Sequence, residues 1–119
     1  QYTCFGLGSC IGLFIADRQH NLSAAAHILL PDDEKALPCS KKFYNVIEAT
    51  NAILSRMHHY GSNLQTLRAK VTGGANVNAM RYHTGTRNVA SVVKYLTQHK
   101  IYIAALDVGG NYCRTATFM

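Results

Sequence analysis

Apolar residues recur along this chain in two rhythms. Tyr2–Leu7 alternates in the manner of a short strand and stops at a glycine turn. Cys10–Ala16 and Leu22–Leu30 are apolar runs on either side of a polar break, Asp17-Arg18-Gln19-His20-Asn21, and together predict a β-hairpin. Pro31–Lys42 reads as a loop. From Phe43 to Tyr60 the period lengthens to that of a helix, with Gly61 placed to end it. Leu67–Thr72 predicts a strand running into Gly73-Gly74-Ala75, and Asn76–Thr84 is irregular. Val89, Val92, Val93 and Leu96 then mark a second helix, with Thr86 as its expected N-cap and an end near His99. Ile101–Leu106 is nearly continuous in apolar residues, as in a strand buried on both faces. Asp107–Asn111 is a turn, and Thr115–Phe118 a closing strand. The order β-ββ-α-β-α-β-β predicts a single-domain, layered α/β fold with a mixed β-sheet and two main helices.

The hairpin is where chemistry concentrates. In an antiparallel pair, facing residues have position numbers of constant sum. A tip centred between Arg18 and Gln19 gives 37, and 10 + 27 = 37, so Cys10 and His27 are expected to face each other directly. Their Cβ atoms would then lie about 4.5–5.5 Å apart. A thiol beside an imidazole is the minimum equipment of a cysteine nucleophile, as thiolate and imidazolium or as thiol and base. The neighbouring Gly6-Leu7-Gly8 does not complete a dinucleotide fingerprint, because the third glycine is out of place.

Composition narrows the class. Across 119 residues, 48% are hydrophobic and 15% charged, which describes a folded domain with a real core. No apolar run reaches the roughly 18 residues that cross a bilayer, so no membrane insertion is expected. The net charge is +6, but the basic residues are scattered and Lys41-Lys42 is their longest run, so nucleic acid is not an expected partner. Cys4, Cys10, Cys39 and Cys113 are widely spaced, with no Cys-x-x-Cys and no Cys–His ligand spacing. Reduced thiols in a cytoplasmic protein are expected, with no metal and no cofactor. The chain has no initiator methionine and opens and closes on strand-like stretches, as a piece of a longer protein would.

Five segments, in this order, carry a resemblance: LGSC at Leu7–Cys10, AHILLP at Ala26–Pro31, KVTGGAN at Lys70–Asn76, GTRNV at Gly85–Val89 and DVGGNYCR at Asp107–Arg114. At these separations the chain resembles the chemoreceptor glutamine deamidases of bacterial chemotaxis, the CheD family, from Thr3 to Phe118. The resemblance implies hydrolysis of glutamine side chains on receptor cytoplasmic helices to glutamate, with release of ammonia. It places the nucleophile on Cys10 and the general base on His27, and it implies a chemotaxis phosphatase (CheC-like) as a further partner. The family usually has a threonine six residues before the nucleophile, where it assists the histidine. Here that position is Cys4, and a thiol is a poorer hydrogen-bond acceptor than a hydroxyl. Thr3 is one residue away and, by alternation, on the other face. A second departure is Asn45, where members often carry an aspartate.

Amide hydrolysis through a thioester also needs donors for the tetrahedral oxyanion. Gly8 and Ser9, beside the nucleophile, together with Gly73, Gly74 and Asn111, are the candidates for oxyanion donors or cleft lining. A catalytic Cys10 is expected to react selectively with iodoacetamide at a depressed pKa. The alternative reading is a binding module for a phosphatase or receptor whose catalysis lapsed with the Cys4 exchange. A silent Cys10 would mark it.

Overall fold

A computed structural model describes residues 2–29, 45–76 and 84–118. The chain runs β1 (Tyr2–Leu7), β2 (Ile11–Asp17), β3 (Leu22–Ile28), α1 (Val46–His59), a short 3-10 turn (Leu64–Thr66), β4 (Leu67–Gly73), α2 (Thr84–Gln98), β5 (Tyr102–Val108) and β6 (Arg114–Phe118). This is the expected order of elements. The Pro31–Lys42 loop, Cys39 and most of the irregular stretch after Asn76 lie outside the described residues.

Four strands form a mixed sheet in the order β3-β2-β4-β5, while β1 and β6 pair as a separate antiparallel ribbon. β2 runs antiparallel to both neighbours, and β4 runs parallel to β5, with α2 as the crossover between them. Alternation along β2 sends Ile11, Leu13 and Ile15 to one face. There they pack with Ile28, Ala69 and Val71 against Val46, Ala49, Ile53 and Met57 of α1 and Val92 and Leu96 of α2. The other face carries Phe14, which joins Cys4 and Leu7 of the ribbon in a second buried cluster. The Phe14 and Phe118 rings stack with centroids 5.4 Å apart. Helices, sheet and ribbon thus make three layers with β2 in the middle.

β5 departs from expectation. It is an edge strand, with Tyr102 and Leu106 exposed, and only Ile103 and Val108 pack against the main core. The strand buried on both faces is β2. A run of apolar residues does not reveal whether one side or two will be covered, since that depends on what other segments lie over it.

The helix ends are set by side chains. Asn45 caps α1 by accepting from the Glu48 amide at 2.9 Å, which gives this departure from the family pattern a plain role. Arg56, His58 and His59 occupy its last turn, where positive charge suits the helix dipole, and Gly61 follows at φ +105°. α2 begins at Thr84, so Thr86 lies inside the helix and is not its N-cap. Instead, Asn76 reaches across from the end of β4: its Oδ1 accepts from the Thr86 amide and its Nδ2 donates to Thr86 Oγ1 at 2.8 Å.

The hairpin register also needs correction. Observed pairs sum to 39, with Gly12 opposite His27 and Asp17 opposite Leu22. The cause sits at the tip. Asp17, only 1% exposed, accepts from the His20 amide at 3.2 Å, from His20 Nδ1 at 2.7 Å and from Thr66 Oγ1 at 2.8 Å. Asn21 turns the chain at φ +53°. The loop therefore closes over residues 18–21, and its centre moves by one residue.

Candidate active site

The shift from 37 to 39 is even, so it preserves which face each side chain takes. His27 sits opposite Gly12, and Cys10 lies two residues before Gly12 on the same strand. Cys10 packs against the Cys4, Leu7 and Phe14 cluster, which fixes it on the Phe14 side of the sheet. His27 is exposed on that same side. The two are diagonal neighbours instead of a directly facing pair. Diagonal positions in an antiparallel ladder are about 7–8 Å apart, within reach of a histidine ring.

Gly12 separates them, and the structure shows why that position is small. A Cβ there would sit 3.2 Å from Leu7 Cδ1, 3.3 Å from Thr72 Cγ2 and 3.4 Å from the Phe14 ring. A side chain at this point would require Leu7, Thr72 or Phe14 to give way by a few tenths of an ångström.

The glycine motifs of the sequence meet behind Cys10. Gly74 N–H donates to Cys10 O at 2.9 Å and Ala75 N–H to Gly8 O at 2.8 Å. Gly109 N–H donates to Gly73 O and Asn76 N–H to Gly110 O, both at 2.9 Å, which ties in the segment after β5. Gly73 adopts φ +102°, and a Cβ there would lie 2.2 Å from Cys10 O, so no other residue fits without moving the Cys10 backbone. The amides of Gly8 and Gly74 are occupied, by Gly6 O at 3.0 Å and by Cys10 O. These glycines hold the turn in shape. Ser9 is partly buried beside Cys10, and Asn111 is exposed in the turn after β5.

Electrostatics at the site differ from the expectation of a depressed thiol pKa. Burial raises the Cys10 pKa above the ordinary thiol value, and burial does the same at Cys4. Burial thus favours the thiol form of Cys10. Cys4 is buried on the ribbon opposite Ala116, while Thr3 is exposed and pairs its hydroxyl with that of Thr117 at 3.2 Å. The expected opposition of Thr3 and Cys4 across the strand is observed. Cys113 is an exposed free thiol.

A cleft of about 910 Å³ runs between the outer sheet face and β6 towards the hairpin tip at Asp17 and Asn21, and neither Cys10 nor His27 lines it. Phe14, Lys70, Thr72 and Asp107 form its sheet side, and Arg114 and Phe118 its ribbon side. Arg114 donates to Gly109 O at 2.8 Å and lies 3.5 Å from Asp107, which fixes one wall.

The geometry can be set beside known proteins. The family model described as "CheD chemotactic sensory transduction" matches residues 29–119. A Clostridium acetobutylicum protein named "Probable chemoreceptor glutamine deamidase CheD" is 33% identical over 118 residues, which is 95% of this chain and 71% of that protein. The chain belongs to the CheD family. A Clostridium botulinum CheD (strain Eklund 17B / Type B) is 38% identical over 92% of this chain and 71% of its own length. The "Chemoreceptor glutamine deamidase CheD" of Halalkalibacterium halodurans is 37% identical over 95% of this chain and 74% of its own. The family model match begins two residues beyond His27 and so includes neither Cys10 nor His27.

Two residues escaped the sequence reading. Gly12 was visible there only as a flaw in a nucleotide motif, and its place between Cys10 and His27 follows from the register alone. Asn88, within GTRNV, is completely buried, and its signal was a polar residue one turn before the apolar face of a helix.

Proposed function

We propose that this CheD protein hydrolyses selected glutamine side chains of chemoreceptors to glutamate, with Cys10 as nucleophile and His27 as general base. The observation that carries the assignment is the placement of both side chains on one sheet face, on either side of a glycine. His27 takes the thiol proton as Cys10 Sγ attacks the glutamine Cδ. The tetrahedral oxyanion is met by main-chain amides of the Ser9–Cys10 turn. Its collapse expels ammonia, protonated by His27, and leaves a thioester that water hydrolyses to glutamate. A raised thiol pKa favours this order of events over a resting thiolate. The names of the CheD relatives favour an enzyme over a lapsed binding module. A CheC-like phosphatase as partner and a cytoplasmic location complete the reading.

The test is ammonia release from a glutamine-bearing receptor cytoplasmic fragment. Cys10→Ala is expected to lower turnover by roughly 10³-fold or more while the circular dichroism spectrum stays that of wild type. Undiminished turnover in this variant would reject Cys10 as nucleophile.

A further inference from the structure

Asn88 lies one turn into α2, on the helix face that docks against the nucleophile turn. That docking is close. A Cβ on Gly85 would sit 2.3 Å from Ala75 O and 2.5 Å from Gly74 O, and a Cβ on Gly74 would sit 2.2 Å from Val89 Cγ2. Gly85 and Asn88, three residues apart, therefore share the inward face. Asn88 is 0% exposed, and its Nδ2 donates to Ser9 O at 2.8 Å and to Leu29 O at 3.0 Å.

Those two carbonyls have a specific place. Ser9 immediately precedes Cys10, and Leu29 follows His27 by two residues. In the observed register 10 + 29 = 39, so Leu29 stands where the next partner of Cys10 would fall, just past the last ladder pair of Ile11 and Ile28. Asn88 takes over where the ladder stops and bridges the two strands at their open end.

Bridging two acceptors needs a group with two N–H donors, no net charge and a short stem, which among side chains means the asparagine amide. The reversed amide would aim Oδ1 at two carbonyls, so the hydrogen-bond pattern fixes its orientation. In this orientation Oδ1 is buried with no hydrogen-bond partner among the described residues.

We infer that Asn88 is a positioning residue for deamidation: by holding Ser9 O and Leu29 O together, it sets the separation of Cys10 from His27. The inference rests on the assignment of those two residues to catalysis.

The experiment compares Asn88→Ala and Asn88→Ser with Val92→Ala, which truncates a fully buried residue of the same helix that makes no bond to the turn. Ammonia release from the receptor fragment gives kcat and KM, and iodoacetamide labelling of Cys10 across pH 7–10 reports on the site itself. Asn88→Ala is expected to lose about 10–100-fold in kcat with KM changed less than about twofold, and to alter the labelling profile. Asn88→Ser, which keeps one donor, is expected to fall between Asn88→Ala and wild type. Val92→Ala is expected to lower Tm but keep kcat. Wild-type kcat in Asn88→Ala, or an equal loss in Val92→Ala at a matched fall in Tm, overturns the inference. If the Asn88 variants do not fold, the wild-type protein answers by NMR. Slow exchange of the Asn88 side-chain protons, with hydrogen-bond couplings to the Ser9 and Leu29 carbonyls that change when Cys10 is alkylated, supports the inference. Missing or unchanged couplings overturn it. Cys10→Ala is assayed in parallel: activity there rejects the catalytic assignment itself, whereas activity in Asn88→Ala beside an inactive Cys10→Ala rejects only the positioning role.

Discussion

The two ends of the β2–β3 hairpin treat their polar groups in opposite ways. At the closed tip, hydrogen bonds converge on a side-chain charge. Burial alone would raise the Asp17 pKa, but the neighbouring Ser62 hydroxyl and the bonds from Thr66 and His20 outweigh it and bring the carboxyl down to about 2. At the open base, the bonds go to main-chain carbonyls of Ser9, Cys10 and Leu29, and the Cys10 thiol is left with a raised pKa. The tip uses its polar groups to fix shape. The base fixes the backbone and leaves its reactive side chains to act on something else.

Replacing His27 tests this contrast most severely. His27→Ala is expected to lower deamidation by about 10²–10⁴-fold, the usual share of a general base, with little change in Tm because the residue is exposed. A large fall in Tm with modest loss of activity would make His27 structural and remove the contrast.

The pH dependence of Cys10 sharpens it further. A thiol whose pKa burial has raised is expected to react with iodoacetamide at a rate climbing roughly tenfold per pH unit from pH 7 to 9, without a plateau. A plateau near neutrality would mean that the base end stabilises a charge after all.

The smallest effect belongs to the tip. A carboxyl whose pKa is depressed by folding contributes stability that is complete above its unfolded value, near 4, and is lost as pH falls through about 2. Asp17→Asn is therefore expected to lower Tm by about 5 °C at pH 7 and by progressively less below pH 4, while leaving turnover within about twofold of wild type. An equal loss at both pH values would remove the charge from the explanation.

Much of this was legible in the sequence because periodicity is local. The six strands and two helices appear in the expected order, and Cys10 and His27 share a face because a register change of two preserves parity. What escaped depends on segments far apart in the chain. The register error came from Asp17, whose bond to Thr66 spans 49 positions. The bonds that Asn76 makes to Thr86 in the first turn of α2 span ten positions, outside any local capping pattern. The edge position of β5 depends on where the ribbon lies, and the bonds of Asn88 join positions 79 and 59 apart. Propensity has no term for such contacts.

The ribbon of β1 and β6 bears on how the protein is made. Thr3 and Thr117 meet across 114 positions, and Cys4 lies against Ala116 in the same pairing. Closing so long a loop is slow relative to forming helices or a hairpin. During synthesis the segments carrying Cys10 and His27 leave the ribosome before β6, the strand that completes the ribbon packed against Cys10. A nascent chain thus carries the Cys10 thiol without the roof of Cys4 and Leu7 until β6 has been translated.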